Sequence, residues 1–89
     1  MHISGFIRHT HFKKQFRKLS KGIQKAFEER VYIFLKQPSN IVLNNHPLQG
    51  DRRDCWSINI TGDIRAIYKL QGTIAIFIDI GTHSQLYGE

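Results

Sequence analysis

The chain has little cysteine, little acidic charge and no long apolar run, and each shortage excludes a class of protein. Cys55 is the single cysteine in 89 residues, so an internal disulfide is impossible and a reducing cytoplasm is the expected compartment. No apolar run approaches the ~18 residues of a membrane-spanning helix, so we expect a soluble protein without a membrane partner. The sequence also contains no phosphate-binding glycine loop, nucleophile elbow or zinc-binding cysteine pattern.

The shortage of acidic residues is concentrated in one part of the chain. Overall, 13 lysines and arginines stand against seven aspartates and glutamates. Residues 8–36 hold nine of these cations and only Glu28 and Glu29, whereas the rest of the chain is close to neutral. One-sided positive charge is typical of a protein that binds nucleic acid or an acidic protein. A solvated helix face explains the same pattern equally well, so charge alone does not decide between them.

Length and hydrophobic spacing predict one domain, residues 1–89, with a modest core. The apolar start at residues 3–7 is typical of an edge or first strand. Two stretches with apolar residues at helical spacing follow, and we expect Thr10 to cap the first helix and Ser20 the second. The turn at residues 38–40 ends the second helix, and residues 41–54 are mostly loop.

The last third of the chain predicts a three-stranded antiparallel meander, because its apolar residues alternate. A three-residue loop after Ile60 places Ile58 beside Ala66 on the buried face and leaves Arg65 and Lys69 on the other face. A two-residue loop would bury Arg65, which is costly. We therefore predict an α+β fold, in which an N-terminal strand and a two-helix hairpin pack on a small antiparallel sheet. Its C-terminal meander has strands near residues 55–60, 64–70 and 73–80.

Several side chains that suit RNA cleavage without a metal fall on or near the outer face of this sheet. Such cleavage needs a base for the 2′-hydroxyl proton, an acid for the leaving 5′-oxygen and a cation on the phosphate. Histidine suits both proton transfers near neutral pH, and arginine suits the phosphate. An aromatic ring can stack a splayed base. The candidates are His46, Asp63, Arg65, Lys69, His83 and Tyr87.

Each candidate also has a purely structural interpretation. His83 can be an ordinary exposed histidine, and His46 can shape a turn with Pro47. Arg65 can form a surface ion pair, and Tyr87 can pack its ring against the end of the sheet. From the residue types alone, both interpretations stay open.

Four segments of the chain, in this order and at this spacing, resemble the RelE/ParE toxin superfamily and most closely its YafQ branch. They are His46–Gly50, Asp54–Ile58, Gly62–Leu70 and Gly81–Tyr87. The resemblance implies a RelE/ParE-like toxin domain from a type II toxin–antitoxin system, with a cognate antitoxin as its protein partner. Toxins of this branch are mRNA interferases, which enter the ribosomal A site and cut the mRNA there without a metal or other cofactor.

The same resemblance implies roles for individual residues. His46, Asp63 and His83 match catalytic positions, Tyr87 matches a terminal aromatic residue, and Arg65 matches an arginine that stabilises the phosphate. We expect His83 to be the general acid, either His46 or Asp63 to be the base, and Arg65 with Lys69 to hold the phosphate. The cations expected to contact RNA, including ribosomal RNA, are Lys13, Lys14, Arg17, Lys18, Lys21, Lys25, Arg52, Arg53 and Lys69.

The chain departs from the family pattern at four positions. Asn59 stands where YafQ has a histidine and RelE a lysine, and Ser57 replaces another RelE lysine. Asp79 stands where YafQ has an arginine, and Ile64 where it has a tryptophan. Two alternatives therefore stay open beside the nuclease. One is a ParE-like toxin that inhibits DNA gyrase by binding, and the other is a catalytically degenerate member that only binds its antitoxin.

Overall fold

The computed structural model describes residues 1–88, and within them the strands form one five-stranded sheet in the order β1-β5-β4-β3-β2. Strand β1 runs parallel to β5, and every other neighbouring pair is antiparallel. The predicted α+β architecture is confirmed, with a sheet that is mixed rather than purely antiparallel. The elements are β1 (Gly5–Arg8), α1 (Thr10–Arg17), α2 (Lys21–Lys36), β2 (His46–Pro47), β3 (Trp56–Asn59), β4 (Ile64–Gln71), β5 (Ile74–Thr82) and α3 (His83–Tyr87).

The two long helices begin at polar caps, one as predicted and one a residue earlier. Ser20 caps α2, because its hydroxyl accepts from the backbone N–H of Ile23 at 3.2 Å. The prediction of Thr10 as the first cap is wrong, since His9 takes that position and its Nδ1 accepts from the N–H of His11 at 3.2 Å. His9 still has extended backbone and donates its N–H to Phe77 at 2.8 Å. The strand conformation therefore continues through His9, and Thr10 is already helical.

The register of the meander matches the prediction. Across β3 and β4, Trp56 pairs with Tyr68, Ile58 with Ala66, and Asn59 with Arg65. Because side chains alternate along a strand, this register sends Ile58 and Ala66 to one face and Arg65 to the other. Strand β2 is an element that the sequence did not predict: His46 pairs with Ser57 and so joins the edge of the sheet.

The main core lies between the inner face of the sheet and the helices α1 and α2. Phe12, Phe34 and Phe77 are fully buried there, and Phe27 is nearly so. The rings of Phe27 and Phe77 meet edge to face at 5.2 Å between centroids. Such ring pairs add about 0.5–1.5 kcal/mol beyond their buried area. Packing on this face of the sheet therefore supplies most of the hydrophobic stabilisation of the domain.

A β-bulge in β5 adds a residue to a small apolar cluster on the outer face. Ile67 pairs with Asp79 but the next residue, Tyr68, pairs with Phe77, so Ile78 has no partner on β4. The extra residue shifts the alternation, as bulges do, and Ile78 packs with the outer-face cluster of Cys55, Ile67 and Leu86. Strand β5 therefore has apolar side chains on both faces, with Phe77 in the inner core and Ile78 in the outer cluster.

The chain after β5 forms a short helix, α3, which the sequence did not predict. Thr82 and Gln85 form a reciprocal capping box: the Thr82 hydroxyl accepts from the Gln85 N–H at 3.1 Å, and the Thr82 N–H donates to Gln85 Oε1 at 2.8 Å. A Cβ at Gly81 would lie 2.8 Å from Gln85 Oε1, so the box needs glycine there. No helix within residues 1–88 is long and apolar enough to cross a membrane.

Candidate active site on the outer face of the sheet

A groove of about 610 Å³ lies on the outer face of the sheet, opposite α1 and α2. Strands β2, β3 and β4 contribute to its walls, and α3 closes one side. It therefore brings together four of the five predicted catalytic residues, from positions up to 41 apart in the chain. Its lining residues are His46, Leu48, Gln49, Ser57, Arg65, His83 and Tyr87.

His46 enters the groove from β2 with one ring nitrogen already bonded. Its Nδ1 lies 2.7 Å from the backbone carbonyl oxygen of Asn44. A carbonyl oxygen only accepts, so the bond assigns the proton of the neutral ring to Nδ1 and leaves the lone pair on Nε2. Asn44 has a left-handed backbone, with φ of 44°, which turns its carbonyl beneath the ring. In the neutral ring, Nε2 is therefore the atom that can accept a proton.

His83 and Tyr87 occupy the first and last positions of α3, one helical turn apart. Residues four apart lie on the same side of a helix, and their ring centroids are 4.5 Å apart at an angle of 55°. The capping box fixes where α3 begins, and hence where the imidazole stands. Tyr87 contacts this imidazole directly, so part of its ring is used to hold His83 in place.

Arg65 is the single lysine or arginine among the lining residues given above. Its Nη1 donates to the carbonyl oxygens of Thr61 and Gly62 at 3.1 and 3.0 Å, in the loop that joins β3 and β4. These bonds tether the guanidinium while its other nitrogens retain donors, since the group carries five N–H bonds in all. A planar cation with spare donors can take a phosphate oxygen from within the groove.

Asp63 lies beside the groove rather than in it. It lines a neighbouring depression of about 520 Å³ together with Gly62, Arg65, Thr82, His83 and Ser84. Arg65 and His83 border both spaces, so the two hollows share a wall. Of the two bases suggested by the sequence, His46 faces the larger groove and Asp63 the smaller depression.

Lys69 and Arg52 are both engaged in ion pairs away from the lining of the groove. Lys69 Nζ lies 3.1 Å from Asp54 Oδ2, and the hydrogen bond from Lys69 lowers the pKa of the Asp54 carboxyl. Arg52 Nη2 lies 3.0 Å from Asp79 Oδ2 and donates to the carbonyl oxygen of Leu86 at 3.4 Å. Arg52 thus ties β5 to α3, while Arg53 is exposed.

The predicted RNA-binding cations of the helices point away from this groove. The helices cover the inner face of the sheet through their phenylalanines, so their exposed residues face solvent on the opposite side of the molecule from the groove. One flat binding partner therefore cannot contact the groove and these helical cations at the same time. The exposed cations of this group are Lys13, Lys14, Arg17, Lys18, Lys21 and Lys25.

Cys55 has the chemistry of a buried thiol. It is 3% exposed in the outer-face cluster, and burial, aided by a hydrogen bond to Asp54, raises the pKa of the thiol. A raised pKa keeps the sulfur protonated and unreactive. Among residues 1–88, no group of three or more His, Cys, Asp or Glu side chains is placed to hold a metal ion.

Sequence reasoning missed two features of the groove: the strand character of His46, and the lining residues Leu48 and Gln49. Ser57 was placed on this face by the alternation of its strand, and it lines the groove. The pairing of Arg52 with Asp79 had no local signal, because the two residues are 27 positions apart.

A five-stranded mixed sheet, covered by a helical hairpin on one face and a short C-terminal helix on the other, is the architecture of RelE-like toxins. The model of the YafQ family, described as a bacterial toxin of type II toxin–antitoxin systems, matches residues 6–88. The chain belongs to this family, as its sequence resemblance indicated. No curated protein matches the sequence at a significant level.

Solved structures of toxins share this fold. YafQ from E. coli is 22% identical with a TM-score of 0.74, covering 93% of this chain and 97% of its own. YafQ in its complex with DinJ from E. coli is 26% identical with a TM-score of 0.67 at the same coverage. The toxin–antitoxin complex RelBE2 from Mycobacterium tuberculosis includes a chain that is 17% identical with a TM-score of 0.75, covering 91% of this chain and 99% of its own.

Proposed function

We propose that this toxin is a ribosome-dependent endoribonuclease that cuts mRNA in the A site by acid–base catalysis, with no metal. The observation that carries the proposal is the meeting of two imidazoles and a guanidinium in one groove, formed by His46, His83 and Arg65. These are the groups that transesterification of RNA requires. The volume of the groove, about 610 Å³, is large enough to hold a nucleotide.

In the proposed reaction, His46 Nε2 takes the proton of the ribose 2′-hydroxyl. The 2′-oxygen then attacks phosphorus, and the bond from phosphorus to the 5′-oxygen breaks as a 2′,3′-cyclic phosphate forms. His83 gives a proton to the leaving 5′-oxygen, and Arg65 stabilises the charge that builds on the phosphate. Tyr87 holds the His83 ring by contact and offers its exposed side to a base.

His46 is the preferred base because its Nδ1 bond to Asn44 leaves Nε2 as an acceptor within the groove. Asp63 borders the adjacent depression beside Arg65 and His83. A nucleotide bound in the larger groove therefore presents its 2′-hydroxyl to His46 first. An Asp63→Asn variant with full activity would agree with this assignment, and an inactive one would favour Asp63.

We further propose a cytoplasmic protein whose positive helical surface serves two kinds of partner, ribosomal RNA and an antitoxin. The exposed cations of α1 and α2 are suited to ribosomal RNA phosphates, which are attracted by clustered positive charge. The same positive surface suits an acidic antitoxin, and the DinJ–YafQ and RelBE2 complexes support an antitoxin partner. The affinity of the antitoxin is then expected to fall as salt is raised; an affinity that is independent of salt would contradict the charge-based part of this proposal.

The experiment is induced expression followed by mapping of mRNA 5′ ends, with His83→Gln as the test variant. The wild type is expected to stop growth and to create new 5′ ends within reading frames, and His83→Gln to create none. His2→Gln is the matched control, since it removes an exposed histidine that does not line the groove. Equal patterns from wild type and His83→Gln would overturn the proposal. Growth arrest with intact mRNA and poisoned gyrase would instead favour binding to gyrase, and antitoxin binding without toxicity would favour a degenerate member.

A further inference from the structure

Two side-chain oxygens on the outer face of β3 have no hydrogen-bond partner. Ser57 Oγ and Asn59 Oδ1 are both buried and unpaired among residues 1–88. Ser57 is only 1% exposed, yet it lines the groove. Native proteins satisfy most buried polar groups, because an unpaired one is strongly unfavourable. An alanine at position 57 would avoid this penalty, so the fold retains a hydroxyl that its own contacts do not need.

The two residues lie between His46, the proposed base, and Arg65, which is proposed to bind the phosphate. Ser57 pairs across the sheet with His46, and Asn59 pairs with Arg65. Directly paired residues have Cβ atoms about 5 Å apart. Residues 57 and 59 are also neighbours on one face of the strand, since side chains alternate. Ser57 lines the groove and Asn59 follows it on the same face of β3, so the unpaired oxygens form a short polar strip between an imidazole and a guanidinium.

The hydrogen-bonding capacity of this strip selects the chemistry of its ligand. The oxygen of an asparagine amide only accepts, while a serine hydroxyl both donates and accepts. Phosphodiester oxygens only accept, so a phosphate cannot satisfy Asn59 Oδ1. A group that carries an O–H or N–H can satisfy both oxygens. In RNA these groups are the ribose 2′-hydroxyl and the amino or imino groups of the bases.

We propose that Ser57 and Asn59 form a neutral subsite that hydrogen bonds a donor group of the bound RNA, next to the phosphate held by Arg65. The identity of the ligand as RNA rests on the proposed function. The RelE pattern has lysines at both positions, whereas this chain carries neutral side chains that can hydrogen bond a hydroxyl or an amine. Rotation of the Ser57 side chain to another staggered rotamer opens its hydroxyl to the ligand, a change that commonly accompanies binding.

The test is binding of fluorescent single-stranded RNA to the full chain, measured by anisotropy for wild type and Ser57→Ala. Loss of one neutral hydrogen bond is expected to weaken binding roughly fivefold to tenfold. Ser57→Thr keeps the hydroxyl and is expected to restore affinity, and Ser39→Ala is the matched control because it removes an exposed hydroxyl elsewhere. Equal affinities for wild type and Ser57→Ala would overturn the subsite.

The source of the donor is identified by changing the RNA. If the donor is a ribose hydroxyl, one 2′-deoxy substitution removes the difference between wild type and Ser57→Ala. If it is a base amine, inosine in place of guanosine or purine riboside in place of adenosine removes it. Persistence of the difference with all of these oligonucleotides would contradict a direct hydrogen bond.

Stability and cleavage separate this inference from the proposed nuclease. Ser57→Ala is expected to keep or raise the urea midpoint of unfolding, since it removes an unpaired hydroxyl; a lowered midpoint would show that the hydroxyl serves the fold and would overturn the subsite. If RNA binding depends on Ser57 but the wild type cleaves no RNA, the nuclease proposal is contradicted and the subsite is supported. If Ser57→Ala leaves both cleavage and binding unchanged, the subsite is contradicted and the nuclease proposal is supported.

Discussion

The inner and outer faces of the same sheet have opposite chemistry. Aromatic rings such as those of Phe12, Phe34 and Phe77 pack on the inner face, where these three are fully buried. The outer face has only the small cluster around Cys55 and Leu86, beside a groove that exposes His46 and Arg65. The difference teaches that one well-packed face stabilises the sheet enough for the other to carry unpaired polar groups. The outer face is then free to act on a ligand.

The largest expected effect is on the inner face. Phe77→Ala should lower the free energy of unfolding by about 3–5 kcal/mol, because it leaves a cavity where the rings of Phe12 and Phe27 pack. Urea unfolding followed by circular dichroism measures the change. Tyr32→Ala is the control, since Tyr32 is 62% exposed and its loss should cost about 0.5 kcal/mol. Similar losses from both variants would break the comparison between the faces.

On the outer face, activity rather than stability should suffer. Arg65→Gln should lower the rate of mRNA cleavage roughly 100-fold to 1,000-fold, as removal of a group that stabilises the transition state does. Lys69→Gln removes one positive charge from the same strand, but its lysine is paired with Asp54 outside the groove lining. Single-turnover cleavage on programmed ribosomes should therefore change less than threefold. Equal losses would show that total charge matters and the groove does not.

Tyr68 on the inner face should make stability depend on alkaline pH. Burial raises the pKa of its phenol above the ordinary value of 10.0, so the folded chain keeps this proton while the unfolded chain releases it above pH 10. The contribution of Tyr68 to the free energy of unfolding is therefore fully present below pH 10. Above pH 10 it should fall by about 1.4 kcal/mol per pH unit.

Tyr68→Phe tests this pH dependence. At pH 7 the variant should lose about 1–2 kcal/mol, because Asn45 Oδ1 loses the hydroxyl that donates to it at 2.6 Å. Between pH 10 and 11 the gap to wild type should narrow, as measured by urea unfolding across pH. Parallel curves would contradict a protonated Tyr68 in the folded chain.

The smallest expected effect concerns the helix that closes the groove. Thr82→Ala removes the capping hydroxyl of α3 and should destabilise this helix by about 1 kcal/mol. Cleavage should fall about fivefold, because His83 occupies its position in a smaller fraction of molecules. Hydrogen exchange of the α3 amides reports the loss locally, and Thr82→Ser should behave as wild type. Faster exchange with unchanged cleavage would show that α3 does not position His83.

The alternation of the meander and the helical spacing of the phenylalanines were readable because each is a local pattern of period 2 or 3.6. The register followed as well, since one wrong step would have buried Arg65. The strand at His46 was not readable, because a two-residue edge strand has too few residues for a pattern. The bulge at Ile78 depends on how β5 meets β4, and no sequence signal marks it.

The groove was predictable in its ingredients and less so in its boundaries. His46, Arg65, His83 and Tyr87 were candidates from the sequence, and the structure brings them together. Lys69 and Arg52 were expected to contact RNA, yet each has an acidic partner at least 15 positions away in the chain. Pairings of this length are set by the packing of strands and loops, so residue spacing alone does not reveal them.

By itself, the sequence determined which residues are buried on the inner face, where the two long helices lie and which strand carries Arg65 outward. These outcomes follow from hydrophobic burial with a fixed period, which acts locally along the chain. Only the tertiary structure decided that two distant imidazoles share a hollow with that guanidinium, and that the hydroxyl of Ser57 lines it with no hydrogen-bond partner within residues 1–88. The reason is geometric: β2 and α3 come from separate parts of the chain, and they meet only when the sheet has assembled between them.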